Sequence, residues 1–316
     1  MPVRKTVRAL AERTLLQQAR PVRRLLRAAG RDRAPRLPDI VQIESTNICN
    51  AKCVFCPRDD MERKQGVMAW ELFTKVTDEC VALGIPNIRL HNYGEAFLDR
   101  KLVEKIRYAK QQGIREVGII SNGSLITDEI ARGVVEAGLD AINISVDAAG
   151  KEVFEQTRVG LKYDKVIAGI ERILAARAAL GRTRPKLVLS FVRQAPDSAE
   201  EQAFIEQWKA RADKIHITDL HNWAGTLNRE SDVRFPCYRA WLTFTVLWDG
   251  RVSLCCADFD GRHILGDLRT QTIAEVWNGE AYRATRAAHL DHGGPDICQS
   301  CDLPRKDSPL WITKLL

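Results

Sequence analysis

The segment IVQIESTNICNAKCVFC, residues 40–56, joins a short β-forming run to three closely spaced cysteines. Its first four residues predict a strand, and Cys49, Cys53 and Cys56 follow on a loop. Three soft ligands at this spacing suit an iron–sulfur cluster or zinc. The next cysteine, Cys80, lies on a predicted helix as a structural thiol, so no fourth ligand is close in sequence. A four-iron cluster can use its remaining iron to bind a substrate, which favours the cluster.

Strands and helices alternate after this segment. Six strands alternating with five helices predict an α/β fold with a parallel sheet and right-handed crossovers, hence a partial (β/α)6 barrel. A doubly wound sheet is the rival topology, and in both topologies the carboxyl ends of the strands build the site. The predicted strands are 40–43, 87–91, 116–120, 141–146, 186–191 and 214–218, and the predicted helices are 69–83, 101–112, 127–137, 163–180 and 199–212.

Composition excludes several classes of protein. A chain of 316 residues with 45% hydrophobic and 28% charged residues is not mainly disordered. It has no apolar run long enough for a membrane span or a signal peptide, so we expect it in the cytoplasm. Cytosolic thiols are kept reduced, so the nine cysteines are expected to include metal ligands or catalytic groups.

The positive charge is concentrated at the N-terminus. Residues 1–36 hold eleven basic and two acidic residues, which leaves the rest of the chain slightly acidic despite the net charge of +7. A nearly neutral body argues against nucleic-acid binding. Residues 1–37 are predicted to form a basic helical arm, broken at Pro21. The arm could contact a membrane surface or another polyanion, or pack on its own domain.

The pattern changes after Gly225, and two domains are predicted beyond the arm, residues 38–228 and residues 229–316. The second is a small α+β domain with a β-hairpin and a helix. Two β-rich runs, 241–248 and 251–256, flank Asp249-Gly250, which predicts a two-residue type I′ turn. A helix is predicted near residues 272–288.

The small domain contains a second group of cysteines. Cys298 and Cys301 form a C-x-x-C pair, and with Cys237 and Cys255 they supply four ligands for zinc or for an iron–sulfur cluster. On a strand, Cys255 and its neighbour Cys256 would point to opposite faces, so only one joins the site easily. Cys255 is assigned as the ligand. Cys256 is then either a hydrogen donor to a substrate radical or a small packed thiol.

The order of these motifs resembles the radical S-adenosylmethionine (SAM) enzymes. The C-x3-C-x2-C loop is followed by Tyr93-Gly94-Glu95-Ala96, which is similar to the family's Gly-Gly-Glu-Pro element but departs from it at Tyr93 and Ala96. Ser121-Asn122-Gly123, Ser145-Val146-Asp147 and Arg158 follow in order. The second cysteine group resembles the SPASM/twitch extensions of these enzymes, of the short type with one auxiliary [4Fe-4S] cluster.

The resemblance implies roles for these residues. Cys49, Cys53 and Cys56 would hold a [4Fe-4S] cluster whose open iron chelates SAM. Gly94 and Glu95 would bind the SAM amino group, Arg158 its carboxylate, and Ser145 and Asp147 its ribose, while the partner of Ser121 and Asn122 stays open. The residues implied to bind SAM are Gly94, Glu95, Ser121, Asn122, Ser145, Asp147 and Arg158.

The same resemblance implies a radical SAM oxidoreductase or epimerase acting on a small polar molecule, such as a carbohydrate or an aminocyclitol. The auxiliary cluster could take an electron from a substrate radical, giving dehydrogenation, with Arg193 near the reacting group. A hydrogen atom from Cys256 would instead give epimerisation. A reducing partner such as flavodoxin or ferredoxin is implied. The alternatives are a maturase of peptides or proteins and a non-catalytic metal-binding protein.

Overall fold

The computed structural model describes residues 35–193, 198–226, 237, 239–290 and 294–302. The basic arm predicted for residues 1–37 therefore lies almost wholly outside the described residues. From Leu37 onward, the described residues belong to one compact unit. None of the described helices is both long enough and apolar enough to span a membrane.

A nine-stranded sheet is the centre of the fold, and a two-stranded sheet lies beside it. In chain order the strands are β1 (Ile40–Ile43), β2 (Lys52–Cys53), β3 (Asn87–Arg89), β4 (Glu116–Ser121), β5 (Ala141–Ser145), β6 (Arg158–Val159), β7 (Lys186–Arg193), β8 (Lys214–Asp219), β9 (Thr243–Val246), β10 (Arg251–Ser253) and β11 (Ile264–Asp267). The large sheet has the order β11-β10-β9-β1-β3-β4-β5-β7-β8, and β2 pairs with β6.

Helices connect these strands. They are α1 (Trp70–Ala82), α2 (Leu102–Gln111), α3 (Asp128–Glu136), α4 (Lys151–Thr157), α5 (Tyr163–Ala179), α6 (Ala199–Trp208), α7 (Arg239–Leu242), α8 (Ile273–Trp277), α9 (Glu280–Leu290) and α10 (Asp296–Gln299). Several begin at a side-chain cap: Thr127 accepts a hydrogen bond from the Ile130 amide, and Ser198 accepts one from the Glu201 amide.

The prediction of an α/β fold with a parallel sheet is confirmed. From β1 to β8 every strand pairs in parallel with the next large-sheet strand along the chain. In a doubly wound sheet the order of successive strands turns back part-way, whereas from β1 to β8 each new strand is added on the same side of the previous one. The described sheet ends at β11 on one side and at β8 on the other, and these two strands are not paired with each other, so the barrel is partial.

The C-terminal hairpin differs from its prediction. Strand β9 adds in parallel to β1, and β10 and β11 extend the same sheet in antiparallel fashion. The amide of Leu247 donates to the carbonyl of Arg251 over 2.8 Å, which encloses three loop residues. Gly250 alone of these three has a positive φ, +95°, so the type I′ prediction is wrong. The loop is the three-residue kind with a left-handed glycine.

Two further details of the C-terminal region also differ. Strand β10 ends at Ser253, so Cys255 and Cys256 lie in the loop after it and not on a strand. The expected alternation of their side chains across a strand therefore does not apply. The single helix predicted near residues 272–288 is two helices, α8 and α9, with Gly279 between them.

The two faces of the sheet differ in polarity. Residues that point toward the helices are apolar and fully buried, among them Val41, Ile88, Val117, Ile142 and Leu187. Alternate positions point the other way and include many polar side chains. This second face carries Gln42, Glu44, Arg89, His91, Asn143, Ser145 and Ser190. The fold thus places polar side chains on the face of the sheet that the helices leave uncovered.

Candidate active site

A cavity of about 150 Å³ lies at the carboxyl ends of the parallel strands. It brings together most of the residues that the sequence singled out, from five separate segments of the chain. These are Cys49, Cys53, Cys56, Gly94, Glu95, Ser121, Asn122, Ser145 and Arg158. Residues 91–93, Ile120 and Trp223 are among the other residues that line it.

Gly94 holds two of these loops together. Its φ is +91°, and a Cβ atom there would lie 2.6 Å from the carbonyl oxygen of Thr46. Only glycine fits such a backbone, because a side chain would collide with the loop before the cysteines. The amide of Glu95 then donates to the carbonyl of Ile48 over 2.8 Å. The loop after β3 is thereby fixed against the segment that leads to Cys49.

The three thiols of the first loop are partly buried. Burial raises the pKa of Cys49 and Cys53 and raises that of Cys56 to about 11, while the positive charge of Arg58 opposes this rise at all three. Thiolates are the ligands of iron–sulfur clusters, so binding iron would deprotonate these cysteines. Among the described residues, no three His, Cys, Asp or Glu side chains converge as ligands of a single metal ion. Three thiols around one cavity fit a multi-iron cluster, in which different thiolates bind different irons.

Glu95 is buried under this cavity. One carboxylate oxygen accepts hydrogen bonds from the Ser121 hydroxyl (2.7 Å) and the Phe97 amide (3.1 Å). The other accepts one from the Asn122 amide over 2.7 Å. Burial raises the pKa of Glu95 although all three bonds lower it. A carboxylate has about four acceptor positions, so one remains for a cationic amino group.

Arg158 and Asp147 form a buried ion pair at the edge of the cavity. Nε of Arg158 donates to Asp147 over 2.7 Å, and Nη2 makes a shorter bond to the same oxygen. The second oxygen of Asp147 accepts from the Val192 amide over 2.7 Å. Nη1 of Arg158 lies 3.5 Å from the sulfur of Cys53. In this arrangement Asp147 positions Arg158 beside the cysteines and is itself not part of the cavity wall.

The two residues predicted to be catalytic lie away from the wall of this cavity. The guanidinium of Arg193 donates two hydrogen bonds of 2.7 Å to Glu201, so it is held against α6. Cys256 meets the cavity wall through its main-chain carbonyl, which accepts a hydrogen bond from Tyr93. Their catalytic roles stay predictions.

The second group of cysteines is also brought together. Burial raises the pKa of Cys255 well above its ordinary value, and the charges of Cys256, Cys237 and Cys298 raise it further. Burial likewise raises the pKa of Cys237 to about 12, with Cys301 nearby. These five thiols therefore lie close to one another. Cys80, by contrast, lies on α1 and is fully buried in the hydrophobic core, as expected of a structural thiol.

Sequence reasoning missed one residue of the second group, His289. Its Nε2 lies 3.6 Å from the sulfur of Cys298, and its ring contacts Trp241. A histidine on a helix, nine positions before the nearest cysteine, gave no signal in the sequence. Sequence reasoning also missed how Asn222, which follows β8, binds the last cysteine segment. Its side-chain amide donates a hydrogen bond to the Ser300 carbonyl over 2.6 Å. Asn222 and Asp302 also bond each other, each through its main-chain amide and its side-chain oxygen.

Two aromatic residues connect the cysteine groups. The indole of Trp223 donates to the carbonyl of Phe55, inside the first cysteine loop, over 2.7 Å. Its ring lies 5.9 Å from that of Tyr93, and Tyr93 also contacts Phe259. The family motif has glycine at the position of Tyr93, so this connection is particular to a chain with a large side chain there.

Family models agree with this geometry. The model described as the radical SAM superfamily matches residues 43–178, and the SPASM iron-sulfur cluster-binding domain matches residues 237–302. The chain belongs to the radical SAM superfamily. The radical SAM match includes the cysteine loop, Glu95 and Arg158, and the SPASM match spans the second group of cysteines. A SAM-binding [4Fe-4S] cluster and an auxiliary iron–sulfur cluster are the cofactors of these two domains.

Relatives of this radical SAM protein match part of its length. A probable GTP 3′,8-cyclase from Saccharolobus islandicus is 32% identical over 191 residues, which are 60% of this chain and 59% of the relative. A probable GTP 3′,8-cyclase from Metallosphaera sedula is also 32% identical, over 193 residues. The match thus spans less than two thirds of either relative.

Solved structures share the fold. BtrN in complex with AdoMet and 2-DOIA has a TM-score of 0.61 and 19% identity, covering 84% of this chain and 93% of BtrN. SuiB of Streptococcus suis bound to precursor peptide SuiA has a TM-score of 0.69 and 12% identity, covering 91% of this chain and 74% of SuiB. The protein anSMEcpe with bound AdoMet has a TM-score of 0.62 and 15% identity, covering 85% of this chain and 91% of the other.

Proposed function

We propose that this radical SAM protein is an enzyme that cleaves SAM reductively and removes hydrogen from a small polar, carbohydrate-like substrate, most simply as a dehydrogenase. The observation that carries the proposal is the single cavity in which the three thiols of the first loop meet Glu95 and Arg158. When bound there, the cluster and SAM would supply a 5′-deoxyadenosyl radical. The chain itself would supply position and shelter from water.

The residues of the cavity would divide the binding of SAM among them. Glu95 has one acceptor position left for the amino group, and a contact with a charged group is stronger than a neutral one. Arg158 keeps part of its guanidinium near Cys53, where it would meet the carboxylate of SAM. Ser145 and Asn122 present further polar groups along the wall for the ribose. These assignments remain proposals for each residue.

The second cysteine group favours dehydrogenation. In that reaction the substrate loses a hydrogen atom from carbon, a proton from its hydroxyl, and one electron. The electron needs an acceptor near the cavity, and the auxiliary cluster is proposed for that role. The segment with Cys255 and Cys256 is hydrogen-bonded to Tyr93 in the cavity wall, which supports a short path. Cys237, Cys255, Cys298 and Cys301 are the proposed ligands, with Cys256 left over.

The first experiment measures iron and 5′-deoxyadenosine on anaerobically reconstituted protein. About eight irons per chain are expected, falling to about four when Cys49, Cys53 and Cys56 are all changed to alanine. With dithionite and SAM, the wild-type protein should form 5′-deoxyadenosine and the triple variant none. Substitution of Cys80, which lies in α1, is the matched control and should change neither result. A wild-type protein that is fully loaded with iron but leaves SAM intact would refute the proposal.

A second candidate is modification of a peptide. A larger cavity of about 630 Å³ opens on the other side of Trp223, between residues 257–263 and residues 295–300. An extended substrate could continue there from the active site. The test offers wild-type protein candidate sugars, cyclitols, GTP and short peptides in parallel. A keto product from a sugar or cyclitol supports dehydrogenation, a mass change on a peptide supports the second candidate, and turnover of GTP would replace both.

A further inference from the structure

Arg89 is the last residue of β3, and His91 follows it by two residues in the segment that enters the cavity wall. Ile88 and Leu90, next to them in the chain, are fully buried. The charge of Arg89 acts on His91, so the two side chains lie near each other. His91 lines the active-site cavity. Arg89 lies one step deeper, in register with Gln42 of β1 and Gly118 of β4. His91 therefore belongs to the cavity wall, and Arg89 lies behind it, with its guanidinium bonded to Glu116 at the start of β4.

The neighbouring strand leaves room for Arg89. A Cβ atom on Gly118 would lie 3.0 Å from Nη1 of Arg89 and 3.1 Å from its Cδ. The next residue in the same row is Ala141, which is also small. Any larger residue at position 118 would push the guanidinium away. The interior of the barrel thus accommodates an arginine where a hydrophobic layer could have packed.

Polar atoms around this pair are left without partners. Nη2 of Arg89 donates to Glu116 over 2.7 Å. Its Nη1, the Nδ1 of His91 and the Oδ1 of Asn143 are buried, and each lacks a hydrogen bond within the described part of the chain. Asn143 is in register with Ile120, which lines the cavity beside His91. Buried polar groups normally have partners, so such a cluster points to a ligand or water between these strands.

The charged groups that act on His91 are both positive. Burial lowers the pKa of His91 to about 3, and the charges of Arg89 and Arg239 lower it further, so the imidazole is neutral. Two carboxylates of the adjoining strands and loops already have arginine partners. Glu44 accepts two hydrogen bonds from Arg63, and Glu116 accepts one from Arg89. An entering anion would meet cations whose geometry suits carboxylate and phosphate oxygens.

We propose that the substrate carries an anionic group, a carboxylate or a phosphate, that binds beside His91 in the wall of the active-site cavity, with the buried Nη1 of Arg89 behind it as the charged partner. This proposal rests on the proposed function and narrows its substrate class. The enzyme would then act on acidic carbohydrates or cyclitols and discriminate against neutral ones. Arg89 supplies the charge, and His91 supplies one hydrogen bond from its neutral ring.

The test measures binding to anaerobic holoenzyme with SAM by titration calorimetry. The probes are glucuronate, glucose 6-phosphate and glucose, so that the carboxylate and the phosphate are compared with a neutral sugar. At least one acidic probe should bind, and glucose should bind at least tenfold more weakly. The Arg89→Gln variant should lose at least tenfold in affinity for that probe, and Arg89→Lys should lose less because the charge remains. The matched control is Arg132→Gln, which changes an exposed arginine paired with Glu136 on α3 and should leave affinity unchanged.

Other outcomes overturn the proposal. Equal binding of glucose and the acidic probes, no binding of either acid to the wild-type protein, or unchanged affinity in both Arg89→Gln and His91→Ala would each refute the anion site. Cleavage of SAM by dithionite-reduced protein without substrate checks that the variants are folded and loaded. The same measurement separates the two proposals. If the wild-type protein does not cleave SAM, the proposed function is refuted. If it cleaves SAM but shows no preference for anionic probes, only the anion site is refuted.

Discussion

The hydroxyl of Tyr93 donates a hydrogen bond of 2.6 Å to the main-chain carbonyl of Cys256. Tyr93 stands beside Gly94 in the wall of the active-site cavity, and Cys256 belongs to the second group of cysteines. The bond thus joins parts of the chain that are 163 residues apart. Since Trp223 ties the same cavity to the carbonyl of Phe55, one aromatic pair contacts both cysteine regions.

Tyr93→Phe should loosen this connection without leaving a cavity. The change removes one hydrogen-bond donor and leaves the buried Cys256 carbonyl without it, which is expected to lower the free energy of unfolding by about 1 kcal/mol. The midpoint potential of the auxiliary cluster should also shift, because the loop of Cys255 loses an anchor. Denaturant unfolding and a redox titration followed by EPR measure the two effects.

The control for this variant is Tyr108→Phe. The Tyr108 hydroxyl bonds the carboxylate of Asp78 over 2.7 Å at the protein surface, far from the cysteines in sequence. It should leave the potential of the auxiliary cluster unchanged. Equal potentials in the wild-type protein and in Tyr93→Phe would contradict an anchoring role for the hydrogen bond.

Gly94→Ala should be more harmful than Gly113→Ala. Both glycines have a positive φ, +91° and +101°, so alanine is strained at either position by about 1–2 kcal/mol. A Cβ at Gly113 would contact nothing within 4 Å, whereas one at Gly94 would collide with the Thr46 carbonyl. Iron content after reconstitution should therefore fall in Gly94→Ala only. Equal loss of iron in the two variants would mean that the close approach of the loops is unimportant.

Asp147→Asn should destabilise the protein strongly. It leaves the buried guanidinium of Arg158 without its counter-charge, and breaking a buried ion pair from one side typically costs about 3–5 kcal/mol. Denaturant unfolding measures the loss. Asp164→Asn, which breaks an ion pair with Lys151 on the surface, is the matched control and should have little effect. A small effect of Asp147→Asn would show that Arg158 has another partner.

The stability that Asp213 contributes should depend on pH. Burial raises the pKa of its carboxyl, but hydrogen bonds from the Leu187 amide and from Arg177 outweigh it and hold the pKa below the ordinary value. A carboxyl with a lowered folded pKa stabilises above its unfolded pKa of about 4, and this contribution is lost as the pH falls through the folded pKa. The difference in unfolding free energy between wild type and Asp213→Asn should shrink between pH 6 and pH 3. A difference independent of pH would contradict the role of ionisation.

The hydrophobic pattern predicted the six strands of the parallel sheet to within two residues at each end. For example, β1 was expected and found at Ile40–Ile43, because a strand buried against helices reads as a short apolar run. The hairpin turn was predicted incorrectly, because Asp-Gly fits more than one loop length and the tertiary pairing of β9 with β1 sets the register. Arg89 and His91 could have been noticed, since they alternate with the apolar Ile88 and Leu90 in the sequence of and after β3.

The sequence by itself determined the family, because the three cysteines at fixed spacing and Gly94-Glu95 are local motifs that resemble those of radical SAM enzymes. Only the tertiary structure decided which side chains already have partners. Arg193 looked available at the end of β7, yet Glu201 binds it. Asp147 was predicted to bind the ribose of SAM, and the structure shows that its carboxylate already pairs with Arg158. Such pairings join residues from different elements, and their distances depend on how sheet and helices pack, which a linear pattern does not specify.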